Sequence, residues 1–78
     1  MVDLKETLRN IAMAIVDDPD SVVVVCNETD TCINLTLNVA PDDMGMVIGK
    51  NGRIAKAIRM IIKAAATGIN KKVNVDIR

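Results

Sequence analysis

The chain has 78 residues, half of them hydrophobic, a formal net charge of zero, and no His, Phe, Trp or Tyr. This length predicts a single domain over residues 1–78, near the lower size limit for folding without disulfides or metals. Because His is the commonest general base and metal ligand, its absence argues against an enzyme and against a bound metal or cofactor.

The first predicted element is a helix in "DLKETLRNIAMAIV". Asp3 is expected to cap its start, with Glu6 three residues later as in a capping box. Pro19 cannot continue a helix, so the helix is expected to end near Val16. Five apolar residues at helical spacing predict its buried face: Leu4, Leu8, Ile11, Ala12 and Ile15.

Two strands follow, "SVVVVCN" and "CINLTLNV", joined by a turn in "ETDT". The second strand alternates strictly between apolar and polar residues, as half-buried strands do. A two-residue turn at Thr29–Asp30 would place Cys26 opposite Ile33 on the inner face and Cys32 on the outer face, which excludes a disulfide. A three-residue loop would set the two cysteines directly opposite each other and leave a disulfide possible.

"APDDMGMVIG" predicts a short helix, with Pro41 at its start and Asp42 and Asp43 in its positively polarised first turn. The chain closes with "KKVNVDI", which alternates as a final strand. This strand follows a long crossover, so it can join the sheet parallel to a neighbour. The order α-β-β-α-α-β therefore predicts an α+β fold, with helices packed on one face of a three-stranded mixed sheet.

Between these two elements, "RIAKAIRMIIKAAA" predicts a long helix that Gly68 ends. Its predicted buried face consists of Ile54, Ile58, Ile61, Ile62 and Ala65. Lys56, Arg59 and Lys63 form a basic stripe on another side, for which a solvated surface is the simplest interpretation.

The two central helices meet at residues 49–52, which we call the glycine loop. It matches neither the P-loop, which needs GxxxxGK and a hydroxyl residue, nor the dinucleotide fingerprint GxGxxG. Gly49 is expected to adopt a left-handed conformation, and Gly52 leaves room for a phosphodiester backbone. Lys50 and Arg53 add charge and Asn51 adds donors beside the start of the next helix. A tight turn without a ligand is the alternative.

The segment "DDMGMVIGKNGRIAKAIRMIIKAAA" resembles the GxxG region of bacterial KH domains of the second topological type. More narrowly, residues 3–77 resemble the KhpA family of small stand-alone KH proteins. The resemblance implies a type II KH fold and binding of single-stranded RNA, including small regulatory and messenger RNAs. It also implies a homodimer, or a heterodimer with a larger KH protein of the KhpB kind. By this resemblance Gly49, Lys50, Asn51 and Gly52 form the clamp and Arg53 flanks it. Met46 departs from the pattern, because relatives often carry a lysine there.

Without aromatic rings, bases would have to lie on an aliphatic groove. Ile48 and Ile54 are candidates for one wall and the second strand for the other, with plain core packing as the alternative for both isoleucines. Lys56 is expected to join Lys50 and Arg53 in contacting phosphates. Binding by one copy should be weak, salt-sensitive and tolerant of sequence, which favours a dimer.

The charge distribution supports a nucleic-acid contact. Residues 1–43 hold nine acidic and two basic side chains, a net of −7, whereas residues 44–78 hold one acidic and eight basic, a net of +7. Such asymmetry is typical of chains that bind nucleic acid through the basic half. The sequence thus predicts an RNA chaperone or post-transcriptional regulator. The alternative is a protein-interaction subunit that depends on its partner for RNA affinity.

A cytoplasmic location without membrane contact is also expected. The start of the chain lacks a signal-peptide pattern, and the apolar run Val22–Cys26 is too short to cross a bilayer. Cys26 and Cys32 have no His partner and match no CxxC metal pattern, which indicates thiols in a reducing compartment.

Overall fold

The computed structural model describes residues 3–78, and its elements follow the predicted order. The helices and strands are α1 (Leu4–Ile15), β1 (Val23–Glu28), β2 (Cys32–Asn38), α2 (Met44–Ile48), α3 (Arg53–Ala65) and β3 (Lys72–Ile77). Single 3-10 turns precede β1, α2 and α3, at Pro19–Ser21, Pro41–Asp43 and Lys50–Gly52.

The three strands form one mixed sheet with β2 in the middle. β1 pairs with β2 antiparallel, and β3 pairs with β2 parallel. The inward residues of β2 are buried under α1 and α3, whereas Val23 and Val25 on the other face of the sheet are half exposed. The predicted α+β fold, with its helices on one face of the sheet, is confirmed.

The core is aliphatic throughout and draws on every layer. Its fully buried large side chains are Leu8, Leu35, Leu37, Val47, Ile58 and Ile62. Each such side chain stabilises the fold by roughly 1.5–3 kcal/mol relative to exposure. The predicted start of α1 is also confirmed, because the Asp3 carboxylate accepts a hydrogen bond from the Glu6 N–H at 3.2 Å.

The pairing of β1 with β2 differs from both predicted registers. Cys26 pairs with Leu35 and not with Ile33, although it does point to the inner face as the two-residue turn at Thr29–Asp30 predicted. Cys32 points to the opposite face, because successive strand residues alternate. The two thiols are accordingly free and cannot form a disulfide with each other in this fold.

The turn itself lies one residue later than predicted, at Asp30 and Thr31. The Thr29 hydroxyl accepts a hydrogen bond from the Cys32 N–H at 3.0 Å and donates one to the Cys32 carbonyl at 3.3 Å. The Thr29 N–H donates to the same carbonyl at 2.8 Å. These side-chain bonds select the register, and alternation of apolar residues alone does not reveal them.

Pro41, Asp42 and Asp43 lie in the first turn that leads into α2, as predicted, but the side chain of Asp43 makes contacts that were not predicted. Its carboxylate is buried and does not cap α2; instead it accepts hydrogen bonds from the Asp17 N–H at 3.3 Å and the Asp18 N–H at 3.1 Å. Asp43 therefore ties the end of α1 to the start of α2. This contact holds α2, and the glycine loop after it, against the rest of the fold.

Within residues 3–78, none of the helices has the length and apolar character to cross a membrane. In the same residues, no group of three or more His, Cys, Asp and Glu side chains is placed to hold a metal ion.

Candidate nucleic-acid interface

The glycine loop contains three residues with positive φ. Gly49 has φ 73° and ψ 176°, Asn51 has φ 58° and ψ 26°, and Gly52 has φ 73° and ψ 17°. The Gly49 conformation is an extended one with positive φ, adopted almost only by glycine, and not the left-handed helical one that we predicted. Asn51 and Gly52 adopt the left-handed helical conformation, which Asn tolerates better than most residues.

The two glycines of the loop differ in their surroundings. A Cβ atom at Gly49 would lie 2.6 Å from Ile54 Cγ1, so the Ile54 side chain packs directly over the backbone of Gly49. A Cβ atom at Gly52 would meet no atom within 4 Å. Gly52 thus presents its backbone to open space, as the phosphate hypothesis requires.

The charged residues around the loop are exposed and available. Lys50, Asn51, Arg53 and Lys56 are all exposed, and none of the three cations forms a salt bridge with any residue from Asp3 to Arg78. The start of α3 has no side-chain cap and no acidic residue in its first turn. Its positive dipole end and these cations therefore face solvent together, which is the arrangement that attracts phosphate.

Apolar surface borders the loop on one side. Ile48 and Ile54 are 36% and 38% exposed, so neither is an ordinary core residue. Ile54 and Ile61 were predicted for the buried face of α3, and that prediction was wrong. Ile58 and Ile62 are buried as predicted, and α3 also buries Ala55, because apolar residues surround more than half of the helix and the fold packs against the side that carries the small alanine.

The second predicted wall of the groove was also misplaced. β2 lies in the middle of the sheet, with both edges paired and its inward residues buried. β3 has an open edge, which lies along α3. The Lys72 N–H donates to the Thr31 carbonyl at 3.0 Å and the Arg78 N–H to the Leu37 carbonyl at 2.8 Å, so alternate residues from Lys72 onward face β2. The residues between them turn their backbone groups to the open edge.

Arg59 connects α3 to that open edge. Its Nε donates a hydrogen bond to the Val75 carbonyl at 3.2 Å. The basic stripe of α3 (Lys56, Arg59, Lys63) therefore lies beside the edge of β3, and we call the surface between the glycine loop, this stripe and that edge the channel. Sequence reasoning left Arg59 out of the candidate site, because its only signal was its spacing from Lys56 and Lys63.

The far end of this channel is a small basic hollow between the end of α3 and the start of β3. The hollow has a volume of about 280 Å³ and is lined by Lys63, Lys71 and Lys72 together with two apolar residues. Lys71 forms an ion pair with Glu28 at 2.5 Å, so its charge is partly neutralised. Lys63 and Lys72 form no salt bridge among residues 3–78, so the hollow stays positively charged at the end of the stripe.

A protein-family model described as "KhpA/KhpB, KH domain" matches residues 5–77. The chain is 55% identical over 74 residues to the RNA-binding protein KhpA of Clostridium acetobutylicum, which covers 95% of this chain and 99% of that protein. It is 54% identical over 76 residues to the RNA-binding protein KhpA of Clostridium perfringens, with 95% and 99% covered. The corresponding protein of Listeria monocytogenes is 43% identical over 74 residues, with 95% and 97% covered.

Solved structures of Era are similar to this fold. Era in complex with MgGDPNP and nucleotides 1506–1542 of 16S ribosomal RNA gives a TM-score of 0.70 at 21% identity, covering 95% of this chain and 28% of Era. Aquifex aeolicus Era bound to GDP and AlF4− gives 0.69 at 21% identity, covering 95% of this chain and 29% of that one. At this level of identity the similarity shows a shared fold alone.

Proposed function

The chain belongs to the KhpA/KhpB family of KH domains, and on that premise we propose that it binds single-stranded RNA through the glycine loop. The observation that carries the proposal is the loop itself: three of its four residues have positive φ, Lys50 and Asn51 are exposed, and the start of α3 beside it has no side-chain cap. In KH modules such a GxxG loop clamps about four nucleotides by their backbone. The relatives at 43–55% identity that are named RNA-binding proteins support the same function.

The residues of the clamp have distinct tasks. Gly52 lets the sugar–phosphate backbone approach the main chain, and Asn51 offers side-chain donors. Lys50, Arg53 and Lys56 neutralise successive phosphates. Such contacts position the strand without reading its sequence. The domain should therefore accept many RNAs, and small regulatory and messenger RNAs are the expected ligands.

The bases lie in the channel between the loop and the edge of β3. Ile48 and Ile54 provide the apolar wall near Gly49, since both are partly exposed there. The backbone groups on the open edge of β3 provide donors and acceptors on the other side. Sequence-tolerant binding of this kind suits an RNA chaperone or post-transcriptional regulator. The two free thiols fit a role in the reducing cytoplasm.

We further propose that two copies associate through α3. The helix presents an uncharged apolar stripe to solvent, formed by Ala57, Met60, Ile61 and Ala64. One such stripe is self-complementary about a two-fold axis, so a second copy can cover it without bringing like charges together. Pairing with a larger KhpB-like KH protein through the same stripe is the heterodimeric form. Two linked clamps raise the effective concentration of the second contact.

The clamp is tested by fluorescence anisotropy of short single-stranded RNAs at two salt concentrations. The test variant carries Lys50→Asp and Asn51→Asp. A matched control carries Lys5→Asp and Asn10→Asp, the same changes at exposed positions of α1. Both folds are checked by circular dichroism. Loss of charge-assisted bonds in the clamp predicts a drop in affinity of more than about tenfold for the test variant alone.

Equal affinity of the test variant and the control would contradict the clamp. If the wild type binds no RNA alone but does so with a KhpB-like partner, the chain is an interaction subunit. In that case the clamp variant shows whether the loop still contributes within the complex.

A further inference from the structure

The basic stripe of α3 contains one cation that is held in place. Arg59 Nε donates to the Val75 carbonyl at 3.2 Å, across the gap between α3 and the open edge of β3. The bond leaves the two terminal nitrogens of the guanidinium group without a salt bridge in the part of the chain that the structure describes. Lys56 and Lys63 have no such anchor among the same residues. A hydrogen bond therefore ties the Arg59 side chain to the wall of the channel.

A planar guanidinium group tied to that position could support an RNA base. RNA-binding domains hold unstacked bases on aromatic rings or on the guanidinium planes of arginine. This chain contains no aromatic residue, so a ring platform is excluded. Arg53 also has a planar head group, but it lies at the clamp itself and its side chain has no hydrogen bond to the described backbone. Arg59 lies six residues further along α3, about 9 Å from Arg53 along the helix axis.

We propose that Arg59 is the base platform of this domain: its anchored guanidinium plane stacks against one RNA base in the channel, where other domains use an aromatic ring. The inference rests on the proposed function and adds a base contact to it. The bond to Val75 restricts the side chain before RNA arrives, so stacking costs less conformational entropy than it would for a free arginine. A lysine at this position supplies charge but no plane.

Three substitutions at Arg59 separate the contribution of the planar guanidinium group from that of its positive charge. Arg59→Lys keeps the charge, Arg59→Ala removes both properties, and Arg59→Trp supplies a neutral ring. Affinities are measured by anisotropy with an adenosine hexanucleotide and with the same RNA carrying an abasic site at each position in turn. Lys56→Ala is the control for a pure phosphate contact. Circular dichroism melting shows that each variant is folded.

Loss of stacking predicts that Arg59→Lys and Arg59→Ala weaken binding of the intact RNA about tenfold. For the one RNA whose abasic site removes the stacked base, Arg59→Lys and the wild type should bind with equal affinity, because no base is left to stack on the guanidinium plane. Lys56→Ala instead weakens all the RNAs alike and lowers the salt slope by about 0.7. Arg59→Trp retains affinity close to that of the wild type, and the fluorescence of this single introduced indole is quenched by intact RNA.

If Arg59→Lys bound RNA with wild-type affinity, only the charge of Arg59 would contribute to binding, and the proposal would be overturned. An equal effect of Arg59→Lys on every abasic RNA, or an unquenched indole in Arg59→Trp, would overturn it as well. Failure of the wild type to bind any of these RNAs would instead contradict the proposed function itself, so the two failures are distinguishable.

Discussion

Gly49 and Gly52 look alike in the sequence but are glycines for different reasons. Gly49 has no room for a side chain, because Ile54 covers its backbone, and its φ and ψ values suit glycine almost alone. Gly52 has open space around it and a left-handed helical conformation that other residues adopt at a moderate cost. Gly49 is therefore required by the fold, whereas the role that we propose for Gly52 is to admit the ligand.

Alanine substitutions distinguish these two roles. Gly49→Ala should lower the free energy of unfolding by about 1–3 kcal/mol or more, from strain and the contact with Ile54. Gly52→Ala should cost only about 1–2 kcal/mol but should weaken RNA binding, because its methyl group occupies the space left for the backbone. Gly45→Ala, inside α2, is the control: the added Cβ would meet no atom within 4 Å, and the substitution should raise the free energy of unfolding by about 0.5–1 kcal/mol. Urea unfolding measures the change in stability, and fluorescence anisotropy measures the change in RNA affinity. Equal changes in both quantities for Gly49→Ala and Gly52→Ala would contradict separate roles for the two glycines.

α3 is the element on which the fold and the proposed interactions meet. Ala55, Ile58 and Ile62 face the core, the basic stripe faces the edge of β3, and the apolar stripe faces solvent. Its first turn also follows the glycine loop directly. Each side of one helix therefore has a separate task, and substitutions on different sides should have separable effects.

Ile61 is the position that tests the apolar stripe, because it is 49% exposed and lies on the opposite side from Val75 and the channel. Ile61→Glu should convert a dimer to a monomer, since a buried unpaired carboxylate in the interface is costly. Ala14→Glu on the exposed side of α1 is the matched control and should leave the oligomeric state unchanged. Light scattering coupled to size-exclusion chromatography gives the molar mass. A wild type that is monomeric at all concentrations would refute the dimer.

Over the whole molecule, a net charge of zero conceals a strong polarity. The acidic residues lie mainly at the start of α1, between α1 and β1, around the β1–β2 turn and before α2, while most basic ones lie in the glycine loop, on α3 and around β3. RNA therefore meets a positive surface although the chain as a whole is neutral.

Salt dependence measures this surface. With Lys50, Arg53 and Lys56 on phosphates, the slope of log affinity against log salt should be about −2 for one copy and about twice that for a dimer with both clamps occupied. Anisotropy titrations over a series of KCl concentrations supply the slope. Binding that does not respond to salt would mean that phosphate contacts do not hold the RNA.

Local signals made much of this architecture predictable. The Asp3 cap, the alternation in β2 and the break at the glycine loop each depend on neighbouring residues, and the sequence carries them directly. The loop residues and Lys56 were identified for the same reason. Their assignment to RNA remains a prediction that the experiments above address.

The features that were predicted wrongly, or not at all, mostly depend on contacts that the local sequence pattern does not show. The β1–β2 register follows from the Thr29 side chain, and the task of Asp43 follows from its contact with the end of α1. Arg59 could not be identified because its partner, the Val75 carbonyl, is free only when β3 pairs parallel to β2 on one edge. Helical periodicity alone could not choose between Ile54 and Ala55 for the buried side of α3, since both fit an apolar stripe.

Because one edge of β3 is open, amide hydrogen exchange along this strand can report whether RNA is bound. The amides of Lys72 and Arg78 are protected by β2 whether or not RNA is present. The amides of Val73, Val75 and Ile77 face the channel, so they should exchange faster in the free protein and slow down when a strand of RNA occupies the groove. Bound RNA would thus leave an alternating footprint along six residues, in which every second amide reports on the ligand and its neighbours report on the fold.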